Sequence, residues 1–497
     1  MYPSLLQIFT RIHLQELSGS LGRQALLADI PDREIDEWAQ SGFDYIWLLG
    51  IWQTGEKGKQ VSRSVSAWRV GFRAALPDLT EDDICGSPFA IKSYTVHEKF
   101  GDQAGLVEFR RRLRERGLKL LLDFVPNHTA IDHNWVFDHP EYYVRGSEED
   151  LRNEPQNYIC VDTKDGPTVL AYGRDPYFSG WPDTLQLNYR HPELKRAMRD
   201  ELANIAKICD GVRCDMAMLN LPHIFLRTWG ERALPADGTA ADDMPFWPDA
   251  IEYVRGITPQ FIFLAEVYWD LEWELQQQGF HYTYDKRLYD RLRAQDAPSV
   301  RAHLLAGLDF QNKLVRFLEN HDEPRAAATF AAEVHEAAAV ISFFTPGLRF
   351  FYEGQADGRR VHASMHLGRR PEEIADLRTQ QFYRKLLVCL KRPEFRHGAW
   401  QLLDCRNAWE GNSTCQQFIA FAWSRGNDQM LIVVNYGPTQ GQCYVSFPFE
   451  DWRDRQLVFI DLLGSAIYER NGNELLSKGL YVDMPAWGYH AFSATCS

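Results

Sequence analysis

Short runs of consecutive apolar residues alternate with longer stretches in which apolar positions recur every three to four residues, from the N-terminus to about residue 390. Continuous apolar runs bounded by polar or turn residues read as strands buried on both faces, and the periodic stretches read as amphipathic helices. The runs predict strands at 5–9, 45–49, 118–125, 211–214, 261–267, 280–283, 314–318 and 348–352, of which 280–283 is the weakest. Helical patterns lie between them, such as 105–117, with Arg and Glu alternating on its outer face, and 192–208; a further one, 377–391, follows the last strand. Eight strands with helical crossovers predict a parallel α/β architecture, and the length favours a (β/α)8 TIM barrel. A doubly wound sheet is the competing fold, but no Gly-x-Gly-x-x-Gly turn follows the first strand and no Walker-type loop occurs.

Two segments break the alternation. Residues 129–187, after the third strand, are rich in Pro, Gly, Asp, Tyr and Trp and are far longer than a normal βα connection. After Pro393 the pattern changes to strand-like pieces at 418–423, 430–435, 443–447, 456–460 and 489–492, separated by Gly, Asn and Pro turns. The expected organisation is therefore a barrel formed by 1–128 and 188–392, an irregular insertion domain at 129–187, and a C-terminal all-β domain of sandwich type at 393–497.

Composition narrows the function classes. The 497 residues are 45% hydrophobic and 25% charged, ordinary values for a globular protein that needs no disulfide or metal to hold a core. The net charge of -14 and the lack of a long basic run argue against a nucleic-acid partner and suit a neutral or small substrate. The start, Met1-Tyr2-Pro3-Ser4-Leu5-Leu6, shows no basic segment followed by an apolar one, and no stretch approaches 18 apolar residues; the expectation is a cytoplasmic protein with no membrane partner. Nine cysteines, an odd number without metal-like spacing, suit reduced thiols.

Three acidic residues, Asp215, Glu266 and Asp322, stand just past predicted buried strands. One such carboxylate is usually structural, because every buried strand must surface somewhere. Three, each beside His, Arg or Asn, point to a shared site at the C-terminal ends of barrel strands. Arg213, two residues before Asp215 along a strand, lies on the same face and supplies the opposite charge that keeps Asp215 ionised.

Four blocks carry a resemblance: Asp123-Phe124-Val125-Pro126-Asn127-His128, Gly211-Val212-Arg213-Cys214-Asp215, Ala265-Glu266-Val267, and Glu319-Asn320-His321-Asp322-Glu323-Pro324-Arg325. In this order and on these strands they closely resemble the four signature regions of the α-amylase family of retaining glycoside hydrolases and transglycosylases, glycoside hydrolase family 13. The resemblance covers the barrel, the insertion after strand three and the C-terminal β domain. It implies that Asp215 is the nucleophile, Glu266 the general acid/base and Asp322 the carboxylate that stabilises the transition state. It further implies that Asp123 orients Arg213, and that His128 and His321 hydrogen-bond the sugar at the cleavage site. Arg325, Glu323 and Glu319 read as rim contacts or, preferably, as solvated charges.

Departures from the family pattern are equally specific. In Ser87-Pro88-Phe89-Ala90, Phe89 takes the place of a stacking Tyr, with a core aromatic as its alternative reading; Ala90 takes the place of an acidic residue found in some exo-acting members. Gly180-Trp181-Pro182-Asp183-Thr184-Leu185-Gln186-Leu187-Asn188-Tyr189 resembles the fifth family region, but its usual Pro-Asp pair appears as Leu185-Gln186. That Asp commonly helps bind a structural calcium. Asn127 reads as a turn-stabilising side chain or a calcium ligand, and with Gln186 in place the site is too poor in charge, so no metal or other cofactor is predicted. Among the abundant loop aromatics, Trp181 and Tyr268 are the preferred substrate neighbours.

The expected function is a retaining α-glucosidic hydrolase acting on α-1,4-glucans or maltooligosaccharides through a covalent glycosyl-enzyme intermediate. The alternatives are a transglycosylase or sugar isomerase of the same family, of glucanotransferase or trehalose-synthase type, and a non-catalytic sugar-binding relative.

Overall fold

The structure is a computed structural model and describes residues 1–496. Eight parallel strands form a closed barrel: β1 (Ser4–Phe9), β2 (Tyr45–Leu49), β3 (Lys119–Phe124), β4 (Gly211–Cys214), β5 (Ile262–Ala265), β6 (Tyr282–Tyr284), β7 (Leu314–Arg316) and β8 (Leu348–Tyr352). Neighbours in the ring are neighbours in sequence, and β1 closes it by pairing with β2 on one edge and β8 on the other. The barrel strands are buried almost throughout, which is why each appeared as an unbroken apolar run. The weak sixth run becomes the three-residue strand β6, starting two residues later than predicted. The fifth and seventh runs extend beyond their strands, because Glu266 and the 317–322 segment lie past the last ladder pairs, where the barrel opens into loops.

Two excursions rise from the C-terminal ends of the strands. The expected one after β3 is built from an antiparallel pair, His128–Ala130 with Thr184–Gln186, and a hairpin, Tyr158–Thr163 with Gly166–Ala171. A second excursion was not anticipated. After β2 the chain forms Trp52–Thr54, helices Glu56–Ser64 and Ser66–Ala75, and Ile91–Val96, which pairs back on Trp52–Thr54, before the crossover helix Gln103–Arg114. Its helical periodicity resembles an ordinary crossover, so nothing in the pattern marked it.

Beyond the barrel, a six-stranded antiparallel sheet in the order Ala399–Leu403, Phe418–Arg425, Asp428–Asn435, Tyr489–Cys496, Gln456–Asp461, Ile467–Asn471 faces a three-stranded sheet of Cys405–Asn407, Gly441–Val445 and Leu480–Met484. Four of the five predicted pieces fall within these strands, and the fifth, 443–447, runs two residues past the end of Gly441–Val445. The larger sheet is apolar on both faces. Ile419, Phe421, Trp423, Ile432 and Val434 join the barrel core, while the alternate residues Ala420, Ala422, Leu431 and Val433 form a second core with Cys443, Val445, Leu480 and Val482 of the smaller sheet. The interface with the barrel is pinned by Trp423 Nε1, which donates to the Phe344 carbonyl at 2.7 Å, and by Tyr436, whose hydroxyl donates to the Leu292 carbonyl at 2.7 Å.

The cysteines from Cys85 to Cys443 are free thiols, and among the described residues no helix is long and apolar enough to cross a membrane. Trp423→Ala removes a fully buried ring and its hydrogen bond, so it should lower stability by about 3–5 kcal/mol in chemical denaturation. Trp423→Phe should lose distinctly less.

Candidate active site

The site begins with a guanidinium that has no solvent. Arg213 points inward from β4 and is fully buried, a placement that is costly unless opposite charge surrounds it. Its Nη1 lies 2.5 Å from Asp215 Oδ1, its Nη2 2.9 Å from Glu266 Oε2, and Asp322 Oδ2 is 4.0 Å from the same Nη2. The ends of β4, β5 and β7 thus deliver the three predicted carboxylates to one cation. The ring faces of Trp47, Phe89 and Tyr284 lie 5.2–5.9 Å from the guanidinium carbon and supply further negative potential.

The carboxylates sit in different environments. Burial is the main force on Glu266 and pushes its carboxyl up; Arg213 pulls it down, Asp215 and Asp322 push it up again, and the balance stands at about 8. Its two oxygens are inequivalent. Oε2 accepts from the Met216 amide at 2.7 Å and faces Arg213, whereas Oε1 contacts the Tyr268 hydroxyl at 3.0 Å. The proton therefore belongs on Oε1, the oxygen without a fixed positive donor. To deliver its amide, Met216 adopts a left-handed conformation at φ 42°, an unusual one for a long side chain. Asp322 is also pushed up by burial, against Arg213 and His362, and is the most open of the three.

The two histidines flank this cluster. Gln7 on β1 donates its Nε2 to His321 Nδ1 at 2.9 Å, which leaves the ring proton on Nε2, 3.1 Å from Asp322 Oδ2. Asn127 Nδ2 lies 3.3 Å from His128 Nδ1, and the His128 ring meets Trp181 edge to face at 5.2 Å. Burial pushes both histidines down, so both are neutral at pH 7. The Phe89 ring belongs to the barrel core and also lines the cavity over the carboxylates.

Asp123 stands beside Arg213 on the barrel wall. It is the register partner of Arg213 on the adjacent strand, yet its carboxylate accepts from Trp47 Nε1 at 3.0 Å and Gly50 N at 2.7 Å. Its charge attracts Arg213 directly, and through Trp47 it also fixes a ring beside the guanidinium. Glu319 and Arg325, read as rim or solvated charges, are instead both buried and paired with each other at 3.1 Å. Glu323 pairs with Lys286 at 3.2 Å.

The cavity above the carboxylates has a volume of about 290 Å³. It also contains residues that the motifs did not single out as site residues: Trp68 from the excursion after β2, Asp183 and Thr184 from the insertion, and Met365 and His366 from the loop after β8. Periodicity carries no signal for such loop residues. A larger cavity of about 620 Å³ lies beside the end of β8, where Arg370 is 3.0 Å from Glu353. Burial pushes Glu353 up, but Arg370 and His13 outweigh it and hold the carboxyl at about 2, an inert ion pair in contrast to Glu266.

The possible calcium position can be tested on its own donors. The Gln186 amide nitrogen reaches the Asn127 carbonyl at 2.9 Å, Asn127 Oδ1 at 3.0 Å and the Leu187 carbonyl at 3.1 Å. Gln186 Oε1 accepts from Asn127 Nδ2 at 3.2 Å. Oxygens that would ligate a cation are thus directed at an N–H donor, and among the described residues no carboxylate joins them. Calcium demands six to eight oxygens with anionic members, so these residues do not fit it.

A parallel barrel with acidic side chains gathered at its C-terminal strand ends is the framework of a barrel-type enzyme site. Residues 88–400 match the family model described as alpha amylase, catalytic domain, and the chain belongs to that family. It is 25% identical to the alpha-amylase MalA of Haloarcula japonica over 356 residues, covering 69% of this chain and 46% of that protein. Alpha-amylase 3 of Dictyoglomus thermophilum is 24% identical over 307 residues, 56% of this chain and 54% of that one, so the chain spans about half the length of these curated relatives. In fold it is similar to a noncanonic maltogenic alpha-amylase, AmyB, from Thermotoga neapolitana, with a TM-score of 0.68 at 18% identity over 99% of this chain and 98% of that one.

Chelation with EGTA should leave the melting temperature unchanged within about a degree, since the Gln186 amide already occupies the cradle. Gln186→Asp should instead melt lower in EGTA than in millimolar calcium.

Proposed function

We propose that this protein is a retaining α-glucosidic hydrolase of short α-1,4-linked glucans, with Asp215 as nucleophile, Glu266 as general acid/base and Asp322 as transition-state stabiliser. The observation that carries the reading is the convergence of the three carboxylates on Arg213. One guanidinium bridging Asp215 and Glu266 suits the short carboxyl spacing of about 5–5.5 Å used in retention better than the wider gap that admits a water between them.

In the first half-reaction an Asp215 oxygen attacks the anomeric carbon while Glu266 Oε1 gives its proton to the departing glycosidic oxygen, forming a glycosyl ester and a free sugar hydroxyl. As the bond breaks, positive charge develops on the sugar ring. Asp322 lies beside that position, and the neutral His128 and His321 present N–H donors to hydroxyls without adding to the charge. In the second half, Glu266 takes a proton from an incoming water whose oxygen attacks the same carbon, releasing Asp215 and restoring the acid. Tyr268 holds the working oxygen of Glu266 in place through both steps.

Relatives at similar identity include a maltosyltransferase of Pseudomonas aeruginosa and a trehalose synthase of Thermus thermophilus, both 26% identical. Transfer differs only in the second half, where a sugar hydroxyl replaces water. The largely apolar cavity lining, with Phe89, Met216, Trp181 and Met365, favours a sugar acceptor enough to make this the second reading. Free thiols suit an enzyme that works in a reducing compartment.

A time course with maltotriose to maltoheptaose should give shorter products in the α configuration; products longer than the substrate would establish transfer, and net inversion would refute the mechanism. Asp215→Asn should lose about a thousandfold or more in kcat. Glu266→Gln should lose comparably on maltooligosaccharides but recover on aryl glycosides with acidic leaving groups, which need no proton. Because Glu266 must carry its proton and burial holds it to about 8, kcat/KM should persist through neutrality and fall as pH rises past about 8.

A further inference from the structure

Asp183 is a buried carboxylate that its own backbone amide alone supports, and one of its oxygens has no hydrogen-bond partner. It is 3% exposed, its Oδ2 has no hydrogen-bond donor, and among the described residues no Lys, Arg or His pairs with it. It nevertheless lines the cavity that holds Asp215, Glu266 and Asp322. Burial pushes its carboxyl up to about 6, so at neutral pH it remains mostly ionised, an acceptor in the cavity wall.

Its position in the cavity is defined by its neighbours. Asp183 and Ala90 approach the same point around Gly58: a methyl built there would stand 3.7 Å from Asp183 Cβ and 3.4 Å from Ala90 Cβ. The residue after Asp183, Thr184, and His128 likewise meet around Gly173, at 2.7 and 2.9 Å from the corresponding point. Asp183 therefore stands on the Phe89 and His128 side, where the sugar that Asp215 attacks would rest. The wall there is fixed by tertiary contacts. His366 Nδ1 is 2.8 Å from Ser62 Oγ, and its ring packs on Trp68 at 4.7 Å, so the loop after β8 is tied to the excursion after β2. At about 290 Å³ the cavity suits one or two sugar rings, not the interior of a long chain.

We propose that Asp183 determines specificity by accepting hydroxyl hydrogen bonds from the terminal, non-reducing sugar of the substrate, making the site exo-acting on short oligosaccharides. A sugar ring offers what this corner lacks: O–H donors for an unpaired carboxylate and C–H faces for Trp68, Phe89 and Trp181. This inference rests on the reading of the site as a glycosidase, and the test separates the two.

The test compares wild type with Asp183→Asn, which keeps size and shape. Maltose binding is measured by calorimetry, turnover is measured on maltotriose and on maltotriose blocked at its non-reducing end, and the melting temperature is recorded. Wild type should bind maltose, cleave free maltotriose and spare the blocked form. Asp183→Asn should weaken binding and kcat/KM roughly 10- to 100-fold, mainly through KM, while melting no lower than wild type, because a buried charge has been removed. Equal binding and kcat/KM in the variant, or equal cleavage of blocked and free maltotriose by wild type, would overturn the inference with the glycosidase reading intact. Maltose binding that depends on Asp183 without any turnover would refute the glycosidase reading, and exo action with it, while upholding Asp183 as the acceptor for the sugar. Loss of stability with unchanged kinetics would assign Asp183 to structure alone.

Discussion

One desolvated cation organises the centre of this molecule. Arg213 has no water to solvate it, so its charge is balanced by the carboxylates delivered from the end of its own strand and of two others and by the rings stacked around it. Taking it away would leave acids repelling one another in a medium of low polarisability, and they would neutralise by taking up protons. With it, one oxygen of Glu266 is held by positive donors while the other keeps its proton. The constraint extends outward: Trp47, beneath the guanidinium, is fixed by Asp123, which also holds the Gly50 amide at the turn after β2. A fully buried shell of this kind has few alternative arrangements, which is what precise positioning of several acids requires.

Much of this was legible from residue order because it depends on strands. A barrel strand is buried on both sides, so its apolar run is visible without knowledge of its neighbours, and the charge that ends it is visible too. The runs at 45–49, 211–214 and 348–352 coincide with β2, β4 and β8. Asp215, Glu266, Asp322 and Arg213 were found for that reason. What escaped depends on tertiary placement. Asp123 faces Arg213 in register but spends its hydrogen bonds on an indole and an amide, and Glu319 and Arg325 bury each other because they meet across a tight loop. The excursion after β2 reads as ordinary helix, and Asp183 reads as a polar loop residue until the walls around it are in place.

The insertion shows how one substitution redistributes structural work. Gln186 joins Asn127, Leu187 and, through Asn127, His128, all by neutral hydrogen bonds. A carboxamide supplies both donor and acceptor, so it can close such a network internally. The alignment of His128 is thereby linked to the strand pair that anchors the insertion, and the loop carrying Trp181 and Asp183 leads directly into that pair.

The two-faced C-terminal sheet bears on how the chain is made. Because β1 pairs with β8, the ring cannot close until residue 352 has left the ribosome, and the helix Ala332–Phe344 stays uncovered until Trp423 and the strands around it follow. For that interval the nascent protein carries an open sheet edge and a broad greasy flank. The later strands thus act as the cover for the earlier barrel, and any slowing of translation between them would lengthen the period in which the unfinished barrel needs a chaperone's protection.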